Sequence, residues 1–260
     1  MTALSYYLTN TKNEVFKLKR TFAFWLTIIS AVIFPLLFFI VFLVKHEKMI
    51  PGPGENPWEE FMFKQIKNTI PFLVPMFIVL ITSLIIQVEH KSHGIKHLFS
   101  LPIPKWSVYF GKLTIVIFSI IVTYIYFFLA ILLFGNLLGV FYSDLGFLDF
   151  QPDYWRSIKM LGMSLVASLG IVGIQFWMSF RFKNFIVPLG IGMTMVIMGL
   201  IISRAPESIY FPYSYNVLSI SLGENAPLTF GSSSVIVYSL ICFIITGILG
   251  YLDIKRLNVK

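Results

Sequence analysis

Six long stretches of this sequence contain no Asp, Glu, Lys or Arg, and they limit the possible folds more than any other feature. The hydrocarbon core of a bilayer is about 30 Å thick, so a helix that rises about 1.5 Å per residue crosses it with roughly 20 apolar residues. The stretches meet or approach this length and are 24–44, 70–88, 113–134, 160–180, 185–202 and 234–252. The sequence therefore predicts an all-α membrane protein with six transmembrane helices.

The overall composition supports this class. Hydrophobic residues make up 57% of the 260 residues and charged residues 12%, with a mean hydropathy of +0.82. A soluble domain of this length exposes far more polar surface. The N-terminus does not resemble a cleaved signal peptide, because its apolar run begins only at Phe24 and is too long for one. The single cysteine, Cys242, excludes a disulfide framework.

Basic residues are divided unevenly between the two sets of segments that six spans leave on opposite sides. Thirteen of the 20 Lys and Arg residues lie in the two terminal tails and in residues 89–112 and 181–184, whereas nine of the 12 acidic residues lie in the other set. The positive-inside rule then places both termini in the cytoplasm of a multi-pass protein of the bacterial inner (cytoplasmic) membrane. The basic charge attracts lipid headgroups. Nucleic acid is not an expected partner, because no basic domain stands clear of the membrane.

Two segments outside the spans have apolar patterns of their own. Residues 1–23 carry apolar side chains at helical spacing, namely Leu4, Leu8, Val15 and Leu18. They predict a cytoplasmic amphipathic helix in the membrane interface, with a loosely ordered basic tail as the alternative. Residues 203–233 mix apolar and aromatic side chains with Pro and Gly, and they are too short for two more spans. We predict that this segment is half inserted from the outer side before the last span and packs against protein.

Three of the four histidines lie in the predicted cytoplasmic loop 89–112. The i, i+3, i+7 spacing of His90, His93 and His97 would align them on one helical face as a metal site. Gly94 interrupts such a helix, and no second cluster supplies further ligands, which favours an interfacial helix. A membrane-embedded metalloenzyme that uses these histidines is the alternative interpretation.

The chain lacks an energy source of its own. Its charge-free stretches do not contain the ionisable residues that proton- or ion-coupled transporters place within the membrane. A G-x-x-x-x-G-K-[ST] phosphate-binding pattern is also absent, because the Gly111-Lys112 pair is followed by Leu113. We therefore predict no catalytic residues, metal or cofactor in this chain, and expect energy to arrive through a partner.

The loop 89–112 has the properties of a docking element for such a partner. From Glu89 to Leu101 it is long enough for about three helical turns, and Pro102 ends the helix sharply. Phe99 and Trp106 offer aromatic anchors of the kind that contribute much of the energy in small interfaces.

Within this loop an acidic residue, a glycine, two leucines, a proline and a Gly-Lys pair follow in order: Glu89, Gly94, Leu98, Leu101, Pro102, Gly111 and Lys112. This order resembles the signature loop of type-2 ABC exporter permeases, especially those of bacterial bacteriocin and lantibiotic self-protection exporters. The resemblance extends to the amphipathic entry helix, the six spans and the half-inserted segment. It implies that residues 1–260 form a single transmembrane permease domain.

The resemblance implies a transport subunit of an ATP-binding cassette exporter, and not an enzyme. The loop would form a coupling helix that docks on a separate ABC ATPase subunit, which would bind the ATP and Mg. The implied coupling residues are Glu89, Gly94, Leu98, Phe99, Leu101, Pro102, Trp106, Gly111 and Lys112. A second permease copy or a related permease would complete the complex, which would move a hydrophobic or amphipathic substrate such as a lipid, glycolipid or peptide. A non-transporting membrane anchor subunit is a further alternative to the metalloenzyme.

Overall fold

The computed structural model describes residues 3–19, 21–52, 54–91, 104–225 and 230–256. Over these ranges the chain forms α-helices and short 3-10 turns, with no strand. The α-helices are α1 (Ala3–Leu18), α2 (Phe22–Val44), α3 (Pro57–Lys91), α4 (Lys105–Phe141), α5 (Tyr154–Arg181), α6 (Ile186–Ile202), α7 (Tyr215–Asn225) and α8 (Phe230–Arg256). The 3-10 turns are His46–Lys48, Ser143–Leu145, Pro206–Tyr210 and Pro212–Ser214.

Five of these helices are long and apolar enough to cross a bilayer, namely α2, α3, α4, α5 and α8. The prediction of an all-α membrane protein is therefore confirmed. The helix α6 is also apolar, but its 17 residues give a length of about 26 Å, slightly less than the hydrocarbon core. A sixth span at α6 remains a prediction.

The helix α3 forms the centre of the bundle and contacts α2, α4, α5, α6 and α7. In contrast, α2 and α8 bury one side only, and their outer sides present exposed apolar residues such as Ile29 and Ile248. Apolar side chains are stable on that side because lipid tails are as apolar as leucine.

The helices α5 and α8 approach each other along small residues. The Gly170 amide donates a hydrogen bond to Ser239 Oγ at 2.9 Å, and that hydroxyl lies 2.9 Å from the Ala167 carbonyl oxygen. One turn further along, Gly173 packs so closely against Thr246 that a Cβ atom would not fit. Such close helix contact is what small residues permit in membranes.

One buried amide ties α6 to the centre of the bundle. Gln175 of α5 is fully buried, and its Nε2 donates to the Pro188 carbonyl of α6 at 2.9 Å and to Ser83 Oγ of α3 at 3.2 Å. Its Oε1 accepts a hydrogen bond from the Tyr213 hydroxyl at 3.4 Å. Since buried polar groups are costly without hydrogen bonds, these contacts fix the relative positions of three helices and one turn.

The segment 203–233, as far as residue 225, consists of two 3-10 turns followed by α7. The helix α7 packs against α3, α5 and α8, and it buries Asn216 and Ile220. The predicted contact of this segment with protein is therefore present, whereas its depth in a membrane remains a prediction.

One end of the bundle is defined by aromatic residues on three helices. Tyr109, near the start of α4, packs against Phe176 of α5 and Tyr251 of α8, with ring centroids 5.1 and 6.0 Å apart. Its hydroxyl donates to the Gly247 carbonyl at 3.1 Å. Because α1 packs against the start of α4, it lies at this same end, which we call the α1 end.

The opposite end, which we call the Trp58 end, is closed by aromatic packing. Trp58 at the start of α3 is 1% exposed, and its Nε1 donates to the Phe147 carbonyl at 2.9 Å. The rings of Phe42 and Phe61 surround Phe147, and the Trp58 ring lies directly against Gly135 of α4. A long α4 therefore connects the two ends.

Candidate functional site

The structure describes part of the predicted coupling loop. Trp106, Gly111 and Lys112 lie in the first turns of α4, and Glu89 lies near the end of α3, where only the backbone is described. The remaining predicted coupling residues fall outside the described residues: Gly94, Leu98, Phe99, Leu101 and Pro102. Their roles remain predictions, and the candidate site is built from the two helix ends that carry the loop.

The helix α1 is held against the start of α4 by side-chain hydrogen bonds. The Tyr7 hydroxyl lies 2.6 Å from Thr114 Oγ1, and Asn10 Nδ2 donates to Ser107 Oγ at 2.6 Å. The Tyr7 ring also stacks on Trp106, with centroids 6.3 Å apart and an interplanar angle of 14°. These contacts fix both the position and the rotation of α1 along the first turns of α4.

An ion pair lies at the centre of this contact. Lys112 Nζ is 2.6 Å from Glu14 Oε2, and the Lys112 side chain is only 2% exposed. Glu14 is 11% exposed and also pairs with Lys17 at 3.0 Å, on the more exposed side of α1. A buried ammonium is costly unless it is paired, so the Glu14 carboxylate offsets part of the cost of burying Lys112 and holds α1 against α4.

The close approach of the two helices also involves Gly111. A Cβ atom at Gly111 would lie 3.5 Å from Thr11 Oγ1, which is an ordinary van der Waals contact. Alanine would therefore fit at position 111. The position of α1 on α4 depends more on the ion pair and the hydrogen bonds than on the absence of a side chain at Gly111.

The C-terminal end of α1 borders a small cleft between the two helices that flank the loop. Leu18 packs against the bundle core, and the cleft beside it is lined by Ile85 and Val88 of α3 and by Ile115 of α4. Residues 92–103 connect α3 to α4, so this cleft lies between α1, the helix before the loop and the helix after it.

The predicted amphipathic residues of α1 behave in two ways. Val15 and Leu18 pack against the core, whereas Leu4 and Leu8 are 64% and 57% exposed. The helix is present over the predicted region, and its position in a membrane interface remains a prediction.

Sequence reasoning did not identify the α1 residues that make the contact, namely Tyr7, Asn10, Thr11 and Glu14. One signal was available, because Glu14 is the single acidic residue of the segment 1–23 and Lys112 directly precedes a charge-free stretch. Two opposite charges at the margin of apolar segments favour each other as partners.

The histidine cluster cannot be placed. His93 and His97 lie outside the described residues, and the side chain of His90 is not described. Among the described residues, no group of three or more His, Cys, Asp or Glu side chains is arranged to hold a metal ion. A metal site at His90, His93 and His97 therefore remains an alternative prediction.

Comparison with known proteins identifies a family that the chain matches over most of its length. Residues 11–199 match the family model described as "ABC-2 family transporter protein". The match extends from the middle of α1 to near the end of α6, and it includes Glu14, Lys112 and the loop between α3 and α4. Neither the curated proteins nor the solved structures searched give a match.

Proposed function

We propose that this chain, which belongs to the ABC-2 family of transporter proteins, is the permease subunit of an ATP-driven exporter. Family membership and the membrane-length helices make it a multi-pass membrane permease of an ABC transporter. In our proposal, a separate ABC ATPase subunit binds and hydrolyses ATP with Mg, and a second permease, identical or related, completes the complex. Both termini and the α1 end face the cytoplasm, as the bias of Lys and Arg suggests.

The observation that carries this proposal is the buried contact between α1 and α4 beside the loop. Lys112 and Glu14 fasten α1 to the helix that begins where the loop ends. If the ATPase docks on residues 92–103, its closure displaces the ends of α3 and α4. Because α1 is fastened to α4, it moves with that helix, and the displacement of α4 carries the force from the soluble subunit into the membrane.

The cargo is proposed to be hydrophobic or amphipathic. The predicted spans contain no Asp, Glu, Lys or Arg, so a charged substrate would find no compensating charge within them. Candidate cargo molecules are therefore lipids, glycolipids or peptides with a large apolar part.

The test begins with affinity purification of the tagged chain from its native membrane, followed by identification of co-purifying proteins. We expect an ABC ATPase in stoichiometric amount, and Leu98→Ala should abolish its association. Glu14→Gln should retain the ATPase but weaken the effect of the permease on its ATP hydrolysis. The control is Lys12→Ala, an exposed change on the same helix that should alter neither quantity.

The proposal is wrong if no ATPase accompanies the full-length protein in a membrane where the chain is folded. It is also wrong if stoichiometric metal is bound and lost on His93→Ala, since that result supports the metalloenzyme.

A further inference from the structure

A groove that contains two guanidinium groups lies between the last turns of α5 and α8, at the α1 end of the bundle. Its volume is about 340 Å³, and its lining consists of Trp177 and Arg181 of α5 with Leu249, Leu252, Asp253 and Arg256 of α8. Sites for small molecules usually have volumes of about 300–1,000 Å³, so the groove has room for one polar headgroup.

The two arginines lie just beyond the apolar parts of their helices. Arg181 directly follows the charge-free stretch 160–180, and Arg256 comes four residues after the stretch 234–252, about 6 Å further along the helix. The headgroup layer on each side of a bilayer is about 5–7 Å thick. In a membrane, both arginines therefore lie at the level of the phospholipid phosphates.

Asp253 connects the two sides of the groove. Its Oδ1 accepts a hydrogen bond from Arg181 Nη1 and its Oδ2 accepts one from Trp177 Nε1, both at 3.4 Å. Trp177 also packs on α8, since a Cβ atom at Gly250 would lie 3.3 Å from its side chain. A guanidinium has five N–H donors, so Arg181 is held in place while other donors remain available to a further acceptor.

The groove carries an excess of one positive charge, because two guanidinium groups accompany one carboxylate. Arg256 is exposed, and its guanidinium has no ion-pair partner in the described part of the chain. The partial negative charge of the carbonyl groups at the end of α8 is offset by Lys105, whose Nζ donates to the Lys255 carbonyl at 3.5 Å. An occupant with a single negative charge would therefore neutralise the groove.

The groove also has an apolar part, which continues onto the outer side of α8. Leu249 and Leu252 are both exposed and lie about one turn apart. A small inorganic anion would not use these side chains, whereas an alkyl chain would cover them. The lining therefore fits an occupant that combines one anionic group with an apolar tail.

We propose that this groove binds an anionic phospholipid of the phosphatidylglycerol type. The phosphate accepts hydrogen bonds from Arg181 and Arg256, and an acyl chain lies along Leu249 and Leu252. Guanidinium groups form strong hydrogen bonds with phosphate, and tryptophan is common at headgroup level. The inference goes beyond the proposed function, since it requires neither an ATPase nor a cargo.

The test is native mass spectrometry of the full-length protein in a non-ionic detergent, titrated with dioctanoyl phosphatidylglycerol or dioctanoyl phosphatidylethanolamine. We expect one tightly bound phosphatidylglycerol per chain. Its affinity should exceed that of phosphatidylethanolamine at least about fivefold, the effect of one unit charge near a membrane surface. Equal affinities would overturn the proposal, because the excess positive charge would then have no role.

Two matched pairs of variants locate the bound lipid. Arg256→Gln removes a charge that lines the groove, whereas Lys255→Gln removes an equal charge one residue away that does not. Arg181→Gln is compared with Lys183→Gln in the same way. All four side chains are exposed, so the fold should be retained.

Each arginine variant should weaken phosphatidylglycerol binding at least about tenfold, the effect of one hydrogen bond to a charged group. Each lysine variant should weaken it less than about threefold, because solvent and salt screen a charge outside the groove. Equal losses in the arginine and lysine variants would overturn the site in favour of general attraction to anionic lipid. Arginine variants that keep phosphatidylglycerol but lose a dimer would overturn it in favour of a second copy of the chain in the groove.

Discussion

Replacing Glu14 with glutamine is expected to release α1 from α4. The change removes the carboxylate that lies 2.6 Å from Lys112 Nζ and keeps the size of the side chain. At an effective dielectric constant of about 20, two unit charges at this distance attract each other by about 6 kcal/mol, and the desolvation of both groups offsets part of this. Loss of one partner of a buried pair typically costs about 3–5 kcal/mol, because the other charge stays buried without it.

The two partners should not be equivalent. Lys112 is 2% exposed, so Glu14→Gln removes a carboxylate that directly faces a deeply buried ammonium and should be the more costly change. In Lys112→Met, Glu14 is still paired with Lys17 at 3.0 Å and is 11% exposed, so the cost should be smaller. The double variant should recover part of the loss, since the buried ammonium is removed together with the carboxylate that it faces.

Hydrogen exchange of the amides in residues 3–18 measures this effect where it occurs. Each 1.4 kcal/mol is a tenfold change in an equilibrium constant, so Glu14→Gln should speed exchange in α1 at least about a hundredfold. As a control, Lys17→Gln removes the partner that is 42% exposed, which should cost less than about 1 kcal/mol. Unchanged exchange in Glu14→Gln, or purely additive effects in the double variant, would refute the reasoning.

Three further predictions concern the thermal stability of the purified protein in detergent. Gly135→Ala forces a methyl group into the Trp58 ring and should cost about 1–3 kcal/mol, whereas Gly247→Ala, which has nothing within 4 Å, should be neutral or slightly stabilising. Gln175→Met leaves the partners of the buried amide unsatisfied and should cost about 1–3 kcal/mol per abandoned group. Asp253→Asn weakens an ion pair with Arg181, which is 58% exposed, and should change stability by less than about 1 kcal/mol. A larger loss would show that this pair contributes more than the exposure of Arg181 implies.

The membrane helices could be predicted because the bilayer imposes its requirement on each segment separately. A span needs a certain length without charge, and five of the six stretches meet it in helices that are long enough. The remaining stretch, residues 185–202, contains Pro188 and three glycines and forms α6, which is shorter than the five spans. The same proline and glycines made a sixth span the least clear part of the sequence prediction.

The contact of α1 with α4 could not be predicted from pattern alone. Glu14 and Lys112 are 98 residues apart in sequence, and no period or spacing links them. The loop motif singled out Lys112 as a coupling residue but gave no reason for it to be buried.

The unbroken helix α4 gives the bundle a mechanical property. It runs for 37 residues without proline, so it is about 55 Å long and extends beyond a hydrocarbon core of about 30 Å. Such a rod is a lever: a tilt of about 5° around its midpoint moves its two ends by about 2 Å in opposite directions. One arm carries Lys112 and the other carries Gly135 with the Trp58 ring against it. Tightly packed aromatic rings cannot shift by 2 Å without repacking. A tilt of α4 that starts at the α1 end would therefore change the packing of the Trp58 ring at the opposite end.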